Sequence, residues 1–348
     1  MQKIYINGRF MAEQITGIQR FAYEMCKALI SNGVEITILA PKKIRHEYKL
    51  NCRIIKFGII PGIMWEHFDL LFYLWFHKCP LLINFGSPGP LLYKNRVVSI
   101  HDISFYVNPK WFSWWYSAYY RSITSIFSKR SKKIITVSEF SKSEIIKKLK
   151  TDSSKIIVIH NAVSQTMINT KQNIVFKKDK YILTVGSLDP RKNLNKLVEA
   201  YNSSDIRNYV KLYIVGKSSP MFNMKSSHSI EDNALGYVSD EELVSLYKNA
   251  SAFIYLSYYE GFGIPPLEAM SFGCPVILSD IPVFREIYGE SALFVDPDNI
   301  MEINKTIDLI LSNNELREKI ILRGYEKVKE YSWDLSAYKL VKLIDSIK

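Results

Sequence analysis

The segment from Glu260 to Met270, which reads Glu-Gly-Phe-Gly-Ile-Pro-Pro-Leu-Glu-Ala-Met, constrains the fold of this chain more than any other stretch. It follows the apolar run Ala252–Leu256, which predicts a buried strand, and a second such run, Pro275–Leu278, comes after it. Prolines are tolerated in the first turn of a helix, so we predict a helix over Pro266–Phe272, ended by a glycine. A strand, a glycine loop, a helix and a strand in this order form the repeating unit of a parallel α/β sheet.

The loop of this unit brings two carboxylates, Glu260 and Glu268, to the start of a helix. Backbone amides and the helix dipole favour an anion there, typically a phosphate. A carboxylate repels a phosphate, but Glu268, predicted in the first turn, can instead accept hydrogen bonds from a neutral diol such as a ribose. A phosphate beside a ribose indicates a nucleotide. The alternative is a packing and capping role for both glutamates.

The spacing of these glutamates resembles the E-x7-E motif of family-4 retaining glycosyltransferases, and the resemblance continues through Gly273–Ile277. That family has the GT-B fold, an α/β architecture of two Rossmann-like parallel-sheet domains facing across a cleft, with a C-terminal helix crossing back to the N-terminal domain. The resemblance implies that Glu268 holds the ribose diol and that Glu260 orients the sugar. The backbone amides implied in the same task are those of Phe262, Gly263 and Ile264.

A second motif, Gly186-Ser-Leu-Asp-Pro-Arg-Lys-Asn, follows the predicted strand Tyr181–Val185. Arg191 can bind two phosphate oxygens at once, and Lys192 adds a compact positive charge. Together they could neutralise a diphosphate leaving group, although adjacent cations are ordinarily solvent-exposed. The resemblance implies that they are the family's phosphate-binding pair and serve catalysis, with Gly186 at the nucleotide.

Four further residues are candidate ligand contacts. Gly17 opens a predicted helix at the carboxyl edge of the first strand, where ligands bind in α/β sheets, and the family has a glycine turn there that faces the donor phosphates. His101 follows a predicted strand, and the resemblance implies that it contacts the transferred sugar; a histidine bonded into the fold is the alternative. Tyr237 and Val238 resemble the segment that flanks the nucleotide base, with plain loop packing as the alternative.

Strands and helices alternate along the first half of the chain, which predicts a parallel doubly wound sheet. The predicted strands are Lys3–Ile6, Glu35–Ala40, Arg53–Phe57, Leu81–Asn84, Arg96–Ile100, Lys133–Val137 and Ile156–His160. A polar tract from Ser164 to Asn173 predicts a linker. We therefore expect an N-terminal acceptor-side domain over 1–165, a nucleotide-sugar-binding domain over 174–330 and a crossover helix over 331–348.

Positive charge is concentrated in the N-terminal half: residues 1–165 hold 24 lysines and arginines against 10 acidic residues, and the remainder holds 22 against 24. A solvated surface, an anionic membrane and nucleic acid all suit such an excess. The segment Trp111–Tyr120 carries more rings than one helix face can bury, which favours a membrane headgroup layer or a lipid-linked acceptor over core packing. We find no nucleic-acid recognition module and expect no nucleic-acid partner.

The four cysteines lack paired or metal-ligand spacing, which indicates reduced thiols in the cytosol. The apolar run Leu70–Phe76 is too short to span a bilayer. We expect a cytoplasmic protein peripherally associated with the inner face of the plasma membrane.

The segments Thr16–Phe21 and His101–Phe105 look most like bacterial mannosyltransferases of O-antigen, lipopolysaccharide and surface-polysaccharide assembly. The resemblance implies a retaining hexosyltransferase that uses GDP-mannose, a polyprenyl-diphosphate-linked saccharide acceptor, and neither a cofactor nor a metal ion. A UDP-hexose or GDP-fucose donor is the alternative. Two alternatives of other classes are a nucleotide-sugar epimerase on the same fold and a non-catalytic nucleotide-sugar-binding protein.

Overall fold

The computed structural model describes residues 4–170, 180–216 and 233–347. These residues divide into two compact units. The first unit holds the residues up to Ile103, then Ala118–Asn161, and the chain from Ser332 onward; the second holds Ser104–Ser117 and Ala162–Tyr331. The division differs from the predicted domain ranges in placing Ser104–Ser117 with the second unit. The predicted start of the second domain, at residue 174, lies outside the described residues.

The first unit is built on a parallel sheet of seven strands within the described residues, in the order β3-β2-β1-β4-β5-β6-β7. These strands are β1 (Ile4–Asn7), β2 (Ile36–Pro41), β3 (Arg53–Phe57), β4 (Leu81–Asn84), β5 (Arg96–Ser99), β6 (Lys133–Thr136) and β7 (Ile156–Val158). Ile6 of β1 lies opposite Ile38 on one side and Ile83 on the other. The central strands β1 and β4 are buried along their whole length, which explains their continuous apolar sequences. Every strand predicted for this half is confirmed.

Helices alternate with these strands along the chain, and two of them, Ser104–Val107 and Gln165–Ile168, belong to the second unit. They are α1 (Gly17–Ser31), α2 (Gly62–Trp65), α3 (Leu71–Phe76), α4 (Ser104–Val107), α5 (Trp114–Arg130), α6 (Glu139–Leu149) and α7 (Gln165–Ile168), and a π-helical turn (Glu66–Leu70) joins α2 to α3. Helix α7 lies within the tract predicted as a linker, whose last residues, 171–173, are outside the described ranges.

The second unit repeats the design with six parallel strands among its described residues, in the order β10-β9-β8-β11-β12-β13. The strands are β8 (Tyr181–Val185), β9 (Lys211–Val215), β10 (Ala234–Gly236), β11 (Ala252–Tyr255), β12 (Val276–Ser279) and β13 (Leu293–Val295). The helices are α8 (Leu194–Ser203), α9 (Asp240–Asn249), α10 (Ile264–Ser271), α11 (Pro282–Tyr288), α12 (Ile300–Ser312) and α13 (Asn314–Lys329). A buried aliphatic cluster that includes Ile182, Ile254 and Ile277 joins the sheet to α8 and α12.

The C-terminal helix α14 (Trp333–Ser346) belongs to the first unit, where it packs against α1. The Trp333 ring lies 5.6 Å from that of Phe21, and Ser336 Oγ donates a hydrogen bond to the carbonyl of His160 at 2.8 Å. The predicted crossover of the last helix is confirmed.

Each sheet reverses its strand order once, between β1 and β4 in the first unit and between β8 and β11 in the second. Ligands of open parallel sheets bind outside the carboxyl ends of the two strands at such a reversal. The candidate loops after β8 and β11 therefore occupy the position where this architecture forms a binding site.

None of the described helices is both long and apolar enough to cross a bilayer. All four cysteines are free thiols.

Candidate functional site

The Glu260–Met270 segment forms a loop and a helix at the carboxyl end of β11. Helix α10 begins at Ile264, two residues before the predicted start, because Gly263 at the N-cap adopts a left-handed backbone with φ of +91°. Glu268 is therefore the fifth helical residue and lies beyond the first turn, which corrects the sequence prediction. The amides of Gly263 and Ile264 still stand at the helix N-terminus, where the dipole favours a negative group.

Gly263 is required by its conformation and its neighbours. A Cβ atom at this position would lie 2.7 Å from Phe284 Cε1, and φ of +91° is strained for any L side chain. Its carbonyl accepts a hydrogen bond from the Tyr288 hydroxyl. Phe284 and Tyr288 of helix α11 thus hold the loop at Gly263, and this sets the direction of the backbone amides that follow Phe262.

Arg191 lies in a 3₁₀ turn, Pro190–Lys192, just after β8, and is held by a fully buried carboxylate. Asp189 accepts hydrogen bonds from the Arg191 backbone N–H at 2.9 Å and from Nε at 3.1 Å, and it pairs with Nη2 at 3.1 Å. The carbonyl of Arg191 accepts from the backbone N–H of Tyr258, at 2.9 Å, which ties this turn to the loop after β11. Asp189 therefore holds the guanidinium, while the backbone of Arg191 is tied to the loop after β11.

Lys192 joins the two predicted motifs directly. Its Nζ donates to Glu260 Oε1 and to the Tyr255 hydroxyl, both at 2.5 Å. The Lys192 and Glu260 side chains are only 10% and 9% exposed. Burial opposes ionisation of Glu260, but Lys192 and Arg191 outweigh it and lower the pKa of this carboxyl below its ordinary value. Near neutral pH the loop thus holds a carboxylate paired with an ammonium.

Glu268 is buried on the inner face of α10, where the hydroxyl of Tyr247 donates to its Oε2 at 3.0 Å. Burial, together with the adjacent carboxylate, raises the pKa of Tyr247 well above its usual value, so the phenol keeps its proton and remains a donor. The side chain of Tyr247, on α9, thereby directs one carboxylate oxygen of Glu268.

The residues predicted near the phosphates and the base follow neighbouring strands of the same sheet. Gly186 comes after β8, and its N–H donates to the Val215 carbonyl at 2.8 Å. Gly216 is required beside it, since a Cβ there would lie 1.8 Å from the Gly186 oxygen. Tyr237 is exposed and Val238 half-buried in the turn between β10 and α9. The structure therefore brings Gly186 and the turn of Tyr237 and Val238 to the same carboxyl edge as Lys192.

His101 and Gly17 lie in the first unit. His101 is partly buried, stands edge-on to Phe21 at 4.7 Å, and hydrogen-bonds through Nε2 to the carbonyl of Phe85 at 3.1 Å. Burial lowers the pKa of His101, and because a carbonyl only accepts, Nε2 carries the proton of the neutral ring. Nδ1 is left as an acceptor suited to a hydroxyl. Gly17 is the exposed first residue of α1.

The first sheet has its own polar cluster at the β1–β4 reversal, which the sequence analysis did not identify. The fully buried Glu66 accepts from Asn7 Nδ2 at 2.5 Å, from Arg9 Nη1 at 2.7 Å and from the Ser87 hydroxyl. Asn7 Nδ2 also lies 2.9 Å from Asn84 Oδ1. This cluster joins the turns after β1 and β4 to the π-helical turn.

The aromatic segment Trp111–Tyr120 divides between core and surface. Phe112 is buried and stacks on Tyr116 at 5.4 Å, and Trp111 lies 6.5 Å from Tyr259, the neighbour of Glu260. Trp114 and Trp115 are largely exposed. Part of the segment therefore serves packing, as the alternative interpretation held.

Comparison with known proteins identifies the family to which the chain belongs. The model described as Glycosyltransferase Family 4 matches residues 15–166, and the model described as Glycosyl transferases group 1 matches residues 166–327. The O-antigen chain mannosyltransferase RfbU of Salmonella typhimurium is 34% identical over 269 residues, which cover 73% of this chain and 72% of that protein. The chain belongs to the family-4 glycosyltransferases. The O-antigen chain mannosyltransferase B of Escherichia coli is 31% identical, over 74% of this chain and 73% of its own length. The prediction that the chain is a hexosyltransferase is confirmed.

Solved structures confirm the fold of this glycosyltransferase. Sucrose-phosphate synthase from Thermosynechococcus elongatus superposes with a TM-score of 0.77 at 18% identity, covering 100% of this chain and 99% of that one. WaaG, a glycosyltransferase involved in lipopolysaccharide biosynthesis, gives a TM-score of 0.75 at 15% identity, with 98% and 99% covered. The predicted GT-B class is therefore correct.

Three residues of the glycosyltransferase site escaped the sequence analysis. Asp189 was quoted within a motif but given no role, although an aspartate before a proline is a common helix cap. Tyr255 lies in the apolar run that predicts a strand, and the sequence analysis gives no role to Tyr247, which lies within a helix. Their hydroxyls hold Glu260 and Glu268, and only the folded structure shows this.

Proposed function

We propose that this enzyme transfers mannose from GDP-mannose to a saccharide carried on polyprenyl diphosphate, with retention of anomeric configuration, in O-antigen or related surface-polysaccharide synthesis. The two relatives named as O-antigen mannosyltransferases support the sugar. A protein of Komagataeibacter xylinus named GDP-mannose:cellobiosyl-diphosphopolyprenol alpha-mannosyltransferase, 26% identical over 84% of this chain and 75% of its own length, supports the donor and the lipid-linked acceptor. Such an acceptor implies work at the inner face of the plasma membrane.

The observation that carries the proposal is the joining of the two motifs by Lys192 and Glu260 at the β8–β11 reversal. An ammonium has three N–H donors, and the described contacts of Lys192 use two of them. The third is suited to a phosphate oxygen of the donor. Arg191, anchored by Asp189, would take a second oxygen, and Glu268 would accept from the ribose diol.

The reaction then needs charge stabilisation rather than a strong base. The bond between the sugar C1 and the diphosphate oxygen breaks, and the bond from C1 to the acceptor oxygen forms on the same face. The acceptor proton passes to the leaving phosphate oxygen. Arg191 and Lys192 would stabilise the negative charge that develops on the diphosphate, which is the role a metal ion has in other folds. Neutral His101 would accept a hydrogen bond from a sugar hydroxyl.

The first test is a thermal-shift panel of GDP-mannose, GDP-fucose and UDP-hexoses on the wild type, Glu268→Gln and Arg191→Met. A ligand that binds the folded state raises the apparent unfolding temperature by mass action. We expect GDP-mannose to stabilise the wild type and neither variant. Arg285→Met is the matched control, because Arg285 forms an exposed ion pair with Asp280. A shift by a UDP-hexose alone would overturn the choice of donor.

Transfer to a synthetic polyprenyl-diphosphate saccharide, with the product linkage determined by NMR, tests the reaction itself. We expect an alpha-mannosyl product and full activity after chelation of divalent metals. Epimerised donor without acceptor would favour the epimerase alternative. Binding with no turnover on any acceptor would favour a non-catalytic protein. Activity lost to a chelator and restored by a metal would contradict metal independence.

A further inference from the structure

A large apolar surface of the first unit lies on the helical segment 62–76, and its outward side chains include none of the candidate site residues. Its outward side chains are here called the aromatic face. They are Met64, Phe68, Phe72, Trp75 and Phe76. Each is at least 45% exposed, and Phe76 is 85% exposed. Their spacing of four, four, three and one places them along one side of a continuous helical stretch.

The opposite side of the same stretch is already buried. Trp65, Leu70, Leu71 and Leu74 pack against Tyr5 and Leu39 in the core of the first unit. The segment is therefore apolar on both sides, yet the protein covers only one of them. A helix that is apolar all round is normally buried in protein or in lipid, and exposed apolar patches of this kind mark interaction sites.

Exposed neighbours extend the surface and give it a charge. Ile59 before the segment is 86% exposed, and Leu92 on an adjacent loop is 60% exposed. That loop adjoins the segment, because the backbone N–H of Leu91 donates to His67 Nδ1 at 3.3 Å. Lys78 follows the segment directly, and Asn95 Nδ2 donates to the Cys79 carbonyl at 2.8 Å, which brings Lys94 beside the same turn. Both lysines are exposed.

Negative charge is scarce around the aromatic face. Between residues 48 and 101 the chain has two acidic residues, Glu66 and Asp69, against six lysines and arginines. Glu66 is fully buried against Arg9. Asp69 accepts hydrogen bonds from the backbone N–H groups of Ile59 and Ile60, both at 3.0 Å. The outward charge of this region is therefore positive.

We propose that the aromatic face docks the enzyme on an anionic lipid membrane, with its rings in the headgroup and upper acyl layer and Lys78 and Lys94 on lipid phosphates. Aromatic side chains with flanking cations are the composition that binds at this depth. A second copy of the chain fits less well, because a symmetric contact would bring the same lysines together. The inference deepens the proposed function, on which it rests, since a lipid-linked acceptor is met only at a membrane.

The test is flotation of the full-length protein with phosphatidylcholine vesicles, with and without about one third phosphatidylglycerol. We expect the wild type to float with anionic vesicles and to be released as salt rises. The triple variant Phe72→Ser, Trp75→Ser, Phe76→Ser should lower the partition coefficient at least about tenfold. Lys78→Gln and Lys94→Gln should each lower it about fivefold.

Matched controls separate the aromatic face from apolar exposure in general. Met301→Ser with Leu322→Ser removes two exposed apolar side chains from α12 and α13 of the second unit and should leave flotation unchanged. Equal flotation of the triple variant and the wild type would overturn the inference. So would loss of flotation only in Trp114→Ser with Trp115→Ser, or concentration-dependent dimerisation of the wild type that the triple variant abolishes.

Failure of the docking surface and failure of the proposed function remain distinguishable. Transfer of mannose to a short-chain, water-soluble acceptor should be the same in the triple variant and the wild type, whereas transfer to acceptor in vesicles should fall. A wild type that transfers mannose but floats with neither vesicle would overturn only the docking surface. Flotation that depends on the aromatic face without any transfer would overturn only the proposed reaction.

Discussion

Replacing Lys192 by methionine should destabilise the protein and slow sugar transfer strongly. Adding Glu260→Gln should restore most of the stability but none of the activity. The two charges lie 2.5 Å apart with both side chains about nine-tenths buried. Removing one member of such a pair leaves a buried charge without its partner, at a cost of about 3 kcal/mol in the free energy of unfolding. The double variant leaves no unpaired charge, so it should cost less than about 1 kcal/mol, whereas two independent losses would cost about 6 kcal/mol.

An exposed ion pair of similar length provides the control. Arg285 Nε lies 2.7 Å from Asp280 Oδ1, with about half of each side chain exposed. Because solvent screens that pair, Asp280→Asn should cost less than about 1 kcal/mol. The free energies come from urea denaturation followed by tryptophan fluorescence.

The kcat of the same variants shows whether Lys192 has a catalytic role in addition to its effect on stability. If Lys192 stabilises charge on the leaving diphosphate, its loss should lower kcat about 100- to 1000-fold in the single and the double variant alike. Transfer from radiolabelled GDP-mannose measures this. A double variant that regains wild-type kcat would refute a catalytic role for the lysine, and single variants that each cost under about 1 kcal/mol would refute the buried pair.

Acid should weaken the wild type through the same pair. The pKa of Glu260 is lower in the folded protein than its ordinary value of 4.5. The carboxylate therefore contributes stability that is fully present above about pH 4.5 and is lost as pH falls through the lower folded pKa. The free energy of unfolding of Glu260→Gln should show a smaller decline over this range when both proteins are titrated.

Three further changes test other parts of the site. Glu268→Gln should raise the KM for the donor about tenfold or more in steady-state kinetics, whereas Tyr247→Phe, which removes only the hydroxyl behind the carboxylate, should raise it less. His101→Phe should lower kcat with little change in donor affinity by thermal shift, and an unchanged kcat would exclude a role at the sugar. Gly263→Ala should cost about 2 kcal/mol or more by urea denaturation, whereas the control Gly33→Ala, also at positive φ but with open space around it, should cost only about 1 kcal/mol.

Much of the fold follows from the sequence because its signals are local. A strand buried on both faces is a short continuous apolar run, and the chain has such runs wherever a central strand forms, as at Ile4–Asn7 and Ala252–Tyr255. The ends of the helices are predicted less accurately than their existence. The helix after Gly263 begins two residues early, because the left-handed conformation of that glycine starts it before the prolines.

The site could be predicted only in part. Polar residues at the ends of strands indicate the edge at which ligands bind, and the resemblance to the glycosyltransferase family gives Glu260, Arg191 and Lys192 their predicted roles. The contact between Lys192 and Glu260 joins residues 68 positions apart, and it depends on β8 and β11 being neighbours. Strand order is a property of the assembled sheet, so it cannot be predicted from the periodicity of apolar residues along the sequence.

The sequence by itself thus determined the two parallel sheets and the chemistry of their loops, since apolar runs, glycines and charged side chains act over a few residues. Tertiary structure alone decided which carboxylate each cation meets and which tyrosine holds each glutamate. It also decided that Phe72, Trp75 and Phe76 face outward. In a helix apolar on both sides, periodicity does not say which side the core will cover; the fit of Trp65 and Leu74 against the sheet decides it.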